Sequence, residues 1–551
     1  MVQDISILVG GKAGDGINSA SAVIAQLLNQ LGYYTYIYFD YPSLIRGGHN
    51  FAIIRGSDTP IGVHKTTVDF VLALNQDTIA NHKTRFKETT LTIFNSDVVK
   101  AEGQGISVNG VLKTENAPVI MGNSAIIGAF AKAAGIPWDI IIKVFPAYIS
   151  KGTEINLRVA RRAFDQVTTV YPVESIGSRR LCVITGNEAI GLGLIAGGLS
   201  AYVSYPMTPS SSLLHFLAEN AQRFGITVVH PENEIAVILM ALGFSYAGER
   251  VAVGTSGGGF CLMTEGVSLA GMAEIPVVLV VSQRTGPSTG LPTYTAQSDL
   301  HFILNAGQGE FPRFVVAPGD TREAYYWSAV AMDVAWRYQV PAFILADKTL
   351  SEGTFSLDPA DLPELSLGEP IDWDGKTPYR RYAETGSGVS PLAFPGMNGA
   401  VVKVNSYAHD EFGITTEDSG VVTQMTRKRM RKAALLAEAM ETFSTVSTDG
   451  PANAGTALVC WGSVQGACRE VARELGLRLI KPVVLSPFPK LLLNRTLLGV
   501  RRLIAVEENS TGQLAALLRF HGITVDAMVH HYDGRPITPD ILMDRLREVG
   551  V

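Results

Sequence analysis

Between residues 182 and 346, short apolar runs rich in Val and Ile alternate with stretches of helical length, at 182–185, 201–205, 227–229, 251–253, 276–281, 314–317 and 341–346. Runs this short and this uniformly apolar suit strands buried on both faces, and the long stretches between them suit helical crossovers rather than hairpins. The pattern predicts a parallel sheet covered by helices. Open sheets of this kind take ligands outside the carboxyl ends of their strands, which directs attention to residues 205–212, 254–260 and 282–293.

Upstream, the apolar run 4–9 leads into Gly10-Gly11-Lys12-Ala13-Gly14-Asp15-Gly16 and then a helical pattern through Ile17, Ala20, Ile24, Leu27 and Leu28. This is the strand, turn and helix that open an α/β domain. Further strands are expected at 34–38, 51–55, 69–74 and 91–94, with helices at 126–134 and 140–145. From 352 to about 450 the alternation fails, and 379–418 has no period, which predicts a long irregular connection laid on the surface. The basic run Arg427-Lys428-Arg429-Met430-Arg431-Lys432 leads into an apolar helical stretch and is expected to be a solvated helix start. Apolar runs return at 457–461, 483–485 and 503–506. The expected organisation is a multi-domain α/β chain: 1–175, 180–370, an irregular connecting segment 371–450 and a smaller α/β domain 451–551.

Charged side chains make up 17% of the 551 residues and hydrophobic ones 46%, where a typical soluble chain carries roughly 25% charged residues. That much apolar surface predicts subunit interfaces. The net charge of -6 leaves no basic excess for a nucleic acid. Cys182, Cys261, Cys460 and Cys468 form no Cys-x-x-Cys pair, so no disulfide framework, zinc ribbon or cysteine-ligated cluster is expected within the chain. They read as core residues of a cytoplasmic protein. The first residues include an early acid and no basic region of a secretory signal. Residues 189–218 carry no charge but are broken by glycines and prolines, predicting a helix and a strand rather than a membrane span.

Several strings invite chemistry, each beside a plainer reading. The turn 10–16 departs from the dinucleotide fingerprint; free N–H groups at a helix start could hold an anion, but plain tight-turn geometry is the favoured reading of the glycines. The basic loop Arg46-Gly47-Gly48-His49 could meet a phosphate or a partner chain, or simply turn. In Tyr205-Pro206-Met207-Thr208-Pro209-Ser210-Ser211-Ser212 the prolines hold Thr208 away from the helical region, and the serines are expected to cap the next helix. A hydroxyl preset at a strand end can meet a substrate carboxylate or carbonyl. In His230-Pro231-Glu232-Asn233-Glu234, Glu232 reads as a first-turn acid favoured by the helix dipole. Glu234 falls among Ile235, Val237, Ile238 and Leu239, and a half-sunk carboxylate needs a hydrogen-bond donor, one that can come from outside the chain. Gly257-Gly258-Gly259 lets a backbone or a cofactor approach closely. Arg284, in the loop that runs from Gln283 to Thr293, offers a fork for a carboxylate, with hydroxyls at Ser288, Thr289 and Thr293 nearby.

In this order and spacing, the motifs at 205–212, 232–234, 254–260 and 284–293 resemble the α subunit of 2-oxoacid:ferredoxin oxidoreductases. The N-terminal region, with its glycine turn and the loop at 46–49, looks like the γ domain of that family fused ahead of α. The segment with Asn405, His409, Asp410, Glu411 and Gly413, the run 427–432 and Ser486-Pro487-Phe488-Pro489 are similar to the same family, so the likeness spans essentially the whole chain. It implies an N-terminal α/β γ domain, a parallel-sheet pyrimidine-type thiamine-diphosphate-binding domain and a transketolase-C-like terminal domain.

The resemblance also implies the chemistry. A 2-oxoacid adds to the carbanion of thiamine diphosphate and loses CO2, two electrons leave singly through iron–sulfur clusters to ferredoxin, and the acyl group passes to coenzyme A. Glu234 matches the glutamate that hydrogen-bonds the aminopyrimidine ring and drives it to the imino form. Thr208 and Arg284 match positions that hold the substrate carboxylate, and Thr293 one that helps hold a second; an arginine contact of this kind contributes about 1.5–3 kcal/mol. Thiamine enzymes hold Mg²⁺ and the diphosphate with Gly-Asp-Gly and a later asparagine. Gly14-Asp15-Gly16 copies the start, yet residues 39–46 contain no asparagine. Mg²⁺ and a [4Fe-4S] cluster are therefore expected in a β subunit, within an (αβ)2 heterotetramer. The implied reaction is oxidative decarboxylation of 2-oxoglutarate to succinyl-CoA, or the reverse carboxylation of a reductive tricarboxylic acid cycle. Pyruvate and other 2-oxoacids are alternative substrates, and a non-catalytic nucleotide-binding scaffold is the alternative of another class.

Overall fold

The computed structural model describes residues 4–42, 48–149, 151–177, 179, 181–376 and 378–551. Arg46 and Gly47 of the 46–49 loop lie outside them. The chain forms two compact units: Met1–Thr185 with Glu352–Asp361 and Thr538–Asp544, and Gly186–Ser351 with Leu362–Ile537 and Arg545–Val551.

The first unit is built on an eight-stranded sheet in the order Gln104–Ile106, Phe86–Asn95, Val68–Ala73, Asp4–Lys12, His49–Ser57, Tyr34–Asp40, Thr354–Leu357, Cys182–Thr185. The first four strands run parallel and the rest pair antiparallel. Asp4–Lys12 is central, so both its faces are covered. Its Ile5, Ile7 and Val9 share one apolar cluster with Ala20, Ile24 and Leu28 of the helix Ile17–Gln30 and with Ile126 and Phe130 of Gly122–Ala133. The expected strands and helices of this region are all present. Cys182–Thr185 was expected to open the second sheet; instead it is the edge strand of the first, paired with Thr354–Leu357. Edge position explains why Cys182 is exposed.

The second unit holds a seven-stranded sheet in the order Val484–Ser486, Phe314–Val316, Pro341–Asp347, Val277–Gln283, Val251–Thr255, Ala201–Ser204, Thr227–Val229. All neighbours are parallel except Val484–Ser486. Val253, Leu279, Val281 and Phe343 pack with Val237 and Ala241 of the helix Glu234–Tyr246 and with Phe260 and Met263 of Gly257–Ala273. A five-stranded sheet follows, in the order Val446–Asp449, Arg478–Pro482, Thr456–Val459, Arg502–Glu507, Ala527–His530, parallel but for Val446–Asp449. Among the described residues no helix is long and apolar enough to cross a membrane.

Three further expectations are corrected. Cys460 and Cys468 are core residues, but Cys182 and Cys261 are exposed. Lys428 and Lys432 do not belong to a solvated helix start: they lie inside the helix Ser419–Met440, at 0% and 1% exposure, with Nζ 3.0 Å and 2.6 Å from Glu274 Oε2. Burial works against the charge on Glu274, yet Lys432, Lys428 and Arg381 together hold its carboxyl well below the usual range. The irregular segment is not laid wholly on the surface: much of it is exposed, but part of it sinks into the unit. Its Arg381, Tyr382 and His409 are buried, and Arg381 donates to Gln339 Oε1 at 2.9 Å and to the Glu274 carbonyl at 2.6 Å.

Candidate active site

From Ala201–Ser204 the chain crosses to Thr227–Val229 on one side and then returns to Val251–Thr255 on the other. Reversal of the winding direction leaves a crevice at the carboxyl ends of Ala201–Ser204 and Val251–Thr255. Four of the sequence motifs emerge there or beside it.

Glu234 is the first residue of its helix, set by Asn233, whose side chain accepts the Ala236 N–H at 3.0 Å. Asn233 thus caps the helix, and Glu232, expected in its first turn, precedes the cap and is exposed. Glu234 is only 3% exposed, and its Oε1 is buried with no hydrogen-bond partner. The glycine run faces it. A Cβ on Gly259 would stand 2.5 Å from Glu234 Oε1, and one on Gly257 2.3 Å from Asp299 Oδ2. Gly258 has only the Ser288 carbonyl within reach, at 3.8 Å from such an atom. Two carboxylates therefore press on the turn from opposite neighbours while its middle residue stays open.

Arg284 follows the strand Val277–Gln283 directly. Its Nη1 donates to the Thr208 carbonyl at 3.0 Å, which joins the two loops, while its Nε is buried without a partner. Partial burial lowers its pKa. The loop closes on itself through Leu291 N–H to Thr285 O at 3.0 Å and Thr285 N–H to Tyr294 O at 3.1 Å. Thr293 is buried and its Oγ1 is unpartnered. Ser288 and Thr289 point to the exposed rim. The serines after Pro209 do not cap the helix Ser211–Glu219 as expected: Ser210 makes no side-chain cap bond, and Ser212 Oγ accepts from Asn187 Nδ2 at 2.7 Å.

Glu234 Oε1, Ser256 Oγ, Arg284 Nε and Thr293 Oγ1 are all buried without partners. Buried polar atoms are normally satisfied, so their concentration at these strand ends marks a place for a ligand. A buried carboxyl oxygen at Glu234 beside an open glycine fits the ring nitrogen of an aminopyrimidine, with which it can share a proton, and Arg284 with hydroxyls fits a carboxylate. Asp299 was missed by sequence reasoning; burial pushes its carboxyl up to about 6, and no motif marked a single acid at the end of a loop. Beyond the cleft, Ile235, Leu239, Met240 and Leu262 are nearly half exposed. With Met272 and Phe311, all but Met240 border a groove of about 820 Å³.

The first-unit turn behaves differently. The Lys12 N–H donates to Asp15 Oδ2 at 2.7 Å, and the bare face of Gly11 meets the same carboxylate. The turn is closed by its own acid. His49 Nε2 lies 2.8 Å from His82 Nε2.

A family model described as pyruvate flavodoxin/ferredoxin oxidoreductase, thiamine diphosphate binding, matches residues 192–428, and one described as pyruvate ferredoxin/flavodoxin oxidoreductase matches residues 6–166. The chain is 30% identical to the 2-oxoacid:ferredoxin oxidoreductase subunit alpha of Sulfolobus sp., over 99% of this chain and 97% of that one. It is 39% identical to the 2-oxoglutarate synthase subunit KorA of Archaeoglobus fulgidus, over 34% of this chain and 54% of that one. Its fold is similar to that of 2-oxoglutarate:ferredoxin oxidoreductase from Magnetococcus marinus, solved with 2-oxoglutarate, coenzyme A and succinyl-CoA bound: TM-score 0.90, 27% identity, 99% of each chain covered.

Proposed function

Since the chain belongs to the 2-oxoacid:ferredoxin oxidoreductase family, as an alpha subunit with the γ region fused at its front, we propose that it forms one wall of a shared site for the oxidative decarboxylation of 2-oxoglutarate with coenzyme A, or the reverse carboxylation. The observation that carries this reading is the buried, unpartnered Glu234 Oε1 beside the open Gly258. Thiamine diphosphate, when bound, supplies the carbanion that attacks a keto carbon. Glu234 would hydrogen-bond the ring nitrogen of its aminopyrimidine, giving it a proton and accepting that N–H in return, which would favour the imino form. Arg284 and Thr208 hold the carboxylate next to the keto group and Thr293 helps hold the distal one, which suits a dicarboxylic oxoacid. The solved relative bound to 2-oxoglutarate and the KorA name support that choice of substrate over pyruvate.

A β subunit contributes the diphosphate contacts, Mg²⁺ and a [4Fe-4S] cluster, in an (αβ)2 assembly that passes electrons to ferredoxin. The exposed ridge of Ile235, Leu239, Met240 and Leu262 beside Glu234 supports such a partner, because apolar patches of this kind mark interaction sites. Co-expression with the partner subunit tests the reading. The expected product is a brown complex that reduces viologen or ferredoxin only with 2-oxoglutarate and coenzyme A. Equal turnover of pyruvate defeats the substrate choice; binding of NAD(H) by the chain alone, with no turnover by the complex, favours the scaffold alternative.

A further inference from the structure

We propose that Gln297 is a positioning residue, which orients the Arg284–Thr293 loop by fastening it to the carboxyl ends of the five-stranded sheet; the proposal rests on reading that loop as the substrate clamp. The loop's own hydrogen bonds, including Thr285 Oγ1 to the Thr295 carbonyl at 2.8 Å, close it into a pin. A closed pin still needs an anchor to set its angle to the strand it leaves. Gln297, two residues beyond Thr295, provides one.

Gln297 is fully buried, and every polar atom it has is paired. Its Nε2 donates to the Trp461 carbonyl at 2.8 Å, and its Oε1 accepts the Glu508 N–H at 3.2 Å. Its own N–H donates to the Glu508 carbonyl at 2.8 Å, and its carbonyl accepts from Asn509 Nδ2 at 3.0 Å. Trp461 stands just past Thr456–Val459, and Glu508 and Asn509 follow Arg502–Glu507 directly. Two adjacent strands of the terminal sheet thus converge on one amide. Gly462 makes room for it: a Cβ there would lie 2.7 Å from Nε2. On the other side, Gln283, the last strand residue before Arg284, accepts the Asp299 N–H through Oε1 at 2.9 Å. The segment between Thr293 and Asp299 is therefore pinned to both sheets. The terminal domain also meets this stretch beyond Gln297, the Gly534 carbonyl accepting the Thr295 N–H at 2.8 Å and Arg535 lying over the Tyr294 ring, but Gln297 is the side chain that ties it to both strand ends.

The chemistry of the pocket selects an amide. One acid faces the position: Asp347, whose Oδ2 accepts from Gln297 Nε2 at 3.4 Å and from Ser463 Oγ at 2.8 Å. Only a neutral group with one donor and one acceptor satisfies the Trp461 carbonyl and the Glu508 N–H together without setting a second charge beside Asp347.

The test uses the assembled complex with Gln297→Ala and Gln297→Glu. A displaced clamp raises the KM for 2-oxoglutarate about tenfold or more, with kcat and the KM for coenzyme A little changed. Hydrogen–deuterium exchange at the Thr285, Leu291 and Tyr294 amides rises in the alanine variant. A protonated carboxyl at position 297 reproduces the donor and acceptor of the amide, so Gln297→Glu behaves like wild type at about pH 6 and like Gln297→Ala at about pH 8. Unchanged KM and exchange in the alanine variant overturn the proposal, as do a uniform loss with both substrates or a glutamate variant without pH rescue. If the wild-type complex turns over no 2-oxoacid, the functional reading fails while the exchange data still judge the anchor.

Discussion

The carboxylate of Glu234 rests against the bare α-carbon of Gly259: a methyl group there would lie 2.5 Å from Glu234 Oε1 and 2.2 Å from Thr255 Oγ1. Gly259 sits in an ordinary helical conformation within Gly257–Ala273, so space, not backbone strain, demands glycine. The same contact sets where the orphaned oxygen points.

Gly259→Ala therefore acts on Glu234 without touching a ligand. Overpacking of this kind costs about 1–3 kcal/mol of stability, and the displaced carboxylate lowers turnover more than the modest drop in melting temperature suggests. Steady-state rates and a thermal scan on the same preparation check both; a fully active Gly259→Ala complex counts against the cradle.

Arg284→Ala removes the fork and its tie to the Thr208 carbonyl. The expected loss in kcat/KM for the 2-oxoacid is about 1.5–3 kcal/mol, expressed mainly in KM. Arg284→Lys recovers only part, because an ammonium lacks the planar fork. Initial-rate kinetics with the three enzymes decide.

Glu274 is the counter-charge for two buried ammonium groups. Glu274→Gln leaves Lys428 and Lys432 without it and is expected to cost about 3–5 kcal/mol. Glu384→Gln, which removes the partly exposed partner of Arg431, is expected to cost about 1 kcal/mol or less. Melting midpoints of the two variants, compared at one pH, test the difference.

Burial and the nearby Asp347 carboxylate push Glu508 well above the ordinary value of 4.5. Above that value the unfolded chain's carboxyl ionises while the folded one keeps its proton, so its contribution to stability falls as pH rises. A glutamine side chain at 508 cannot ionise. The melting temperature of Glu508→Gln should gain on wild type between about pH 5 and about pH 8; parallel curves would show that Glu508 is not protonated in the fold.

Much of the second unit was legible because strands buried on both faces must be continuously apolar: Val277–Gln283 and Pro341–Asp347 stand out for that reason. Glu234 was legible through its setting, an acid among apolar neighbours at a helix start. Periodicity does not say which sheet a strand joins, so Cys182–Thr185 was assigned to the wrong one and the return of Thr354–Leu357 to the first sheet was invisible. Lys428 and Lys432 looked solvated because their partner Glu274 lies 154 positions from Lys428. Asp299 and Gln297 carry no local signal at all; their roles exist only once the loop meets its neighbours.

The central claim, that Glu234 is this chain's proton-handling contribution to a shared cleft, is tested most directly by the viologen-reduction rate of a complex bearing Glu234→Gln. The account predicts a fall of at least about 100-fold, with the complex assembling as wild type does. A Glu234→Gln complex that turns over 2-oxoglutarate within twofold of wild type would contradict it.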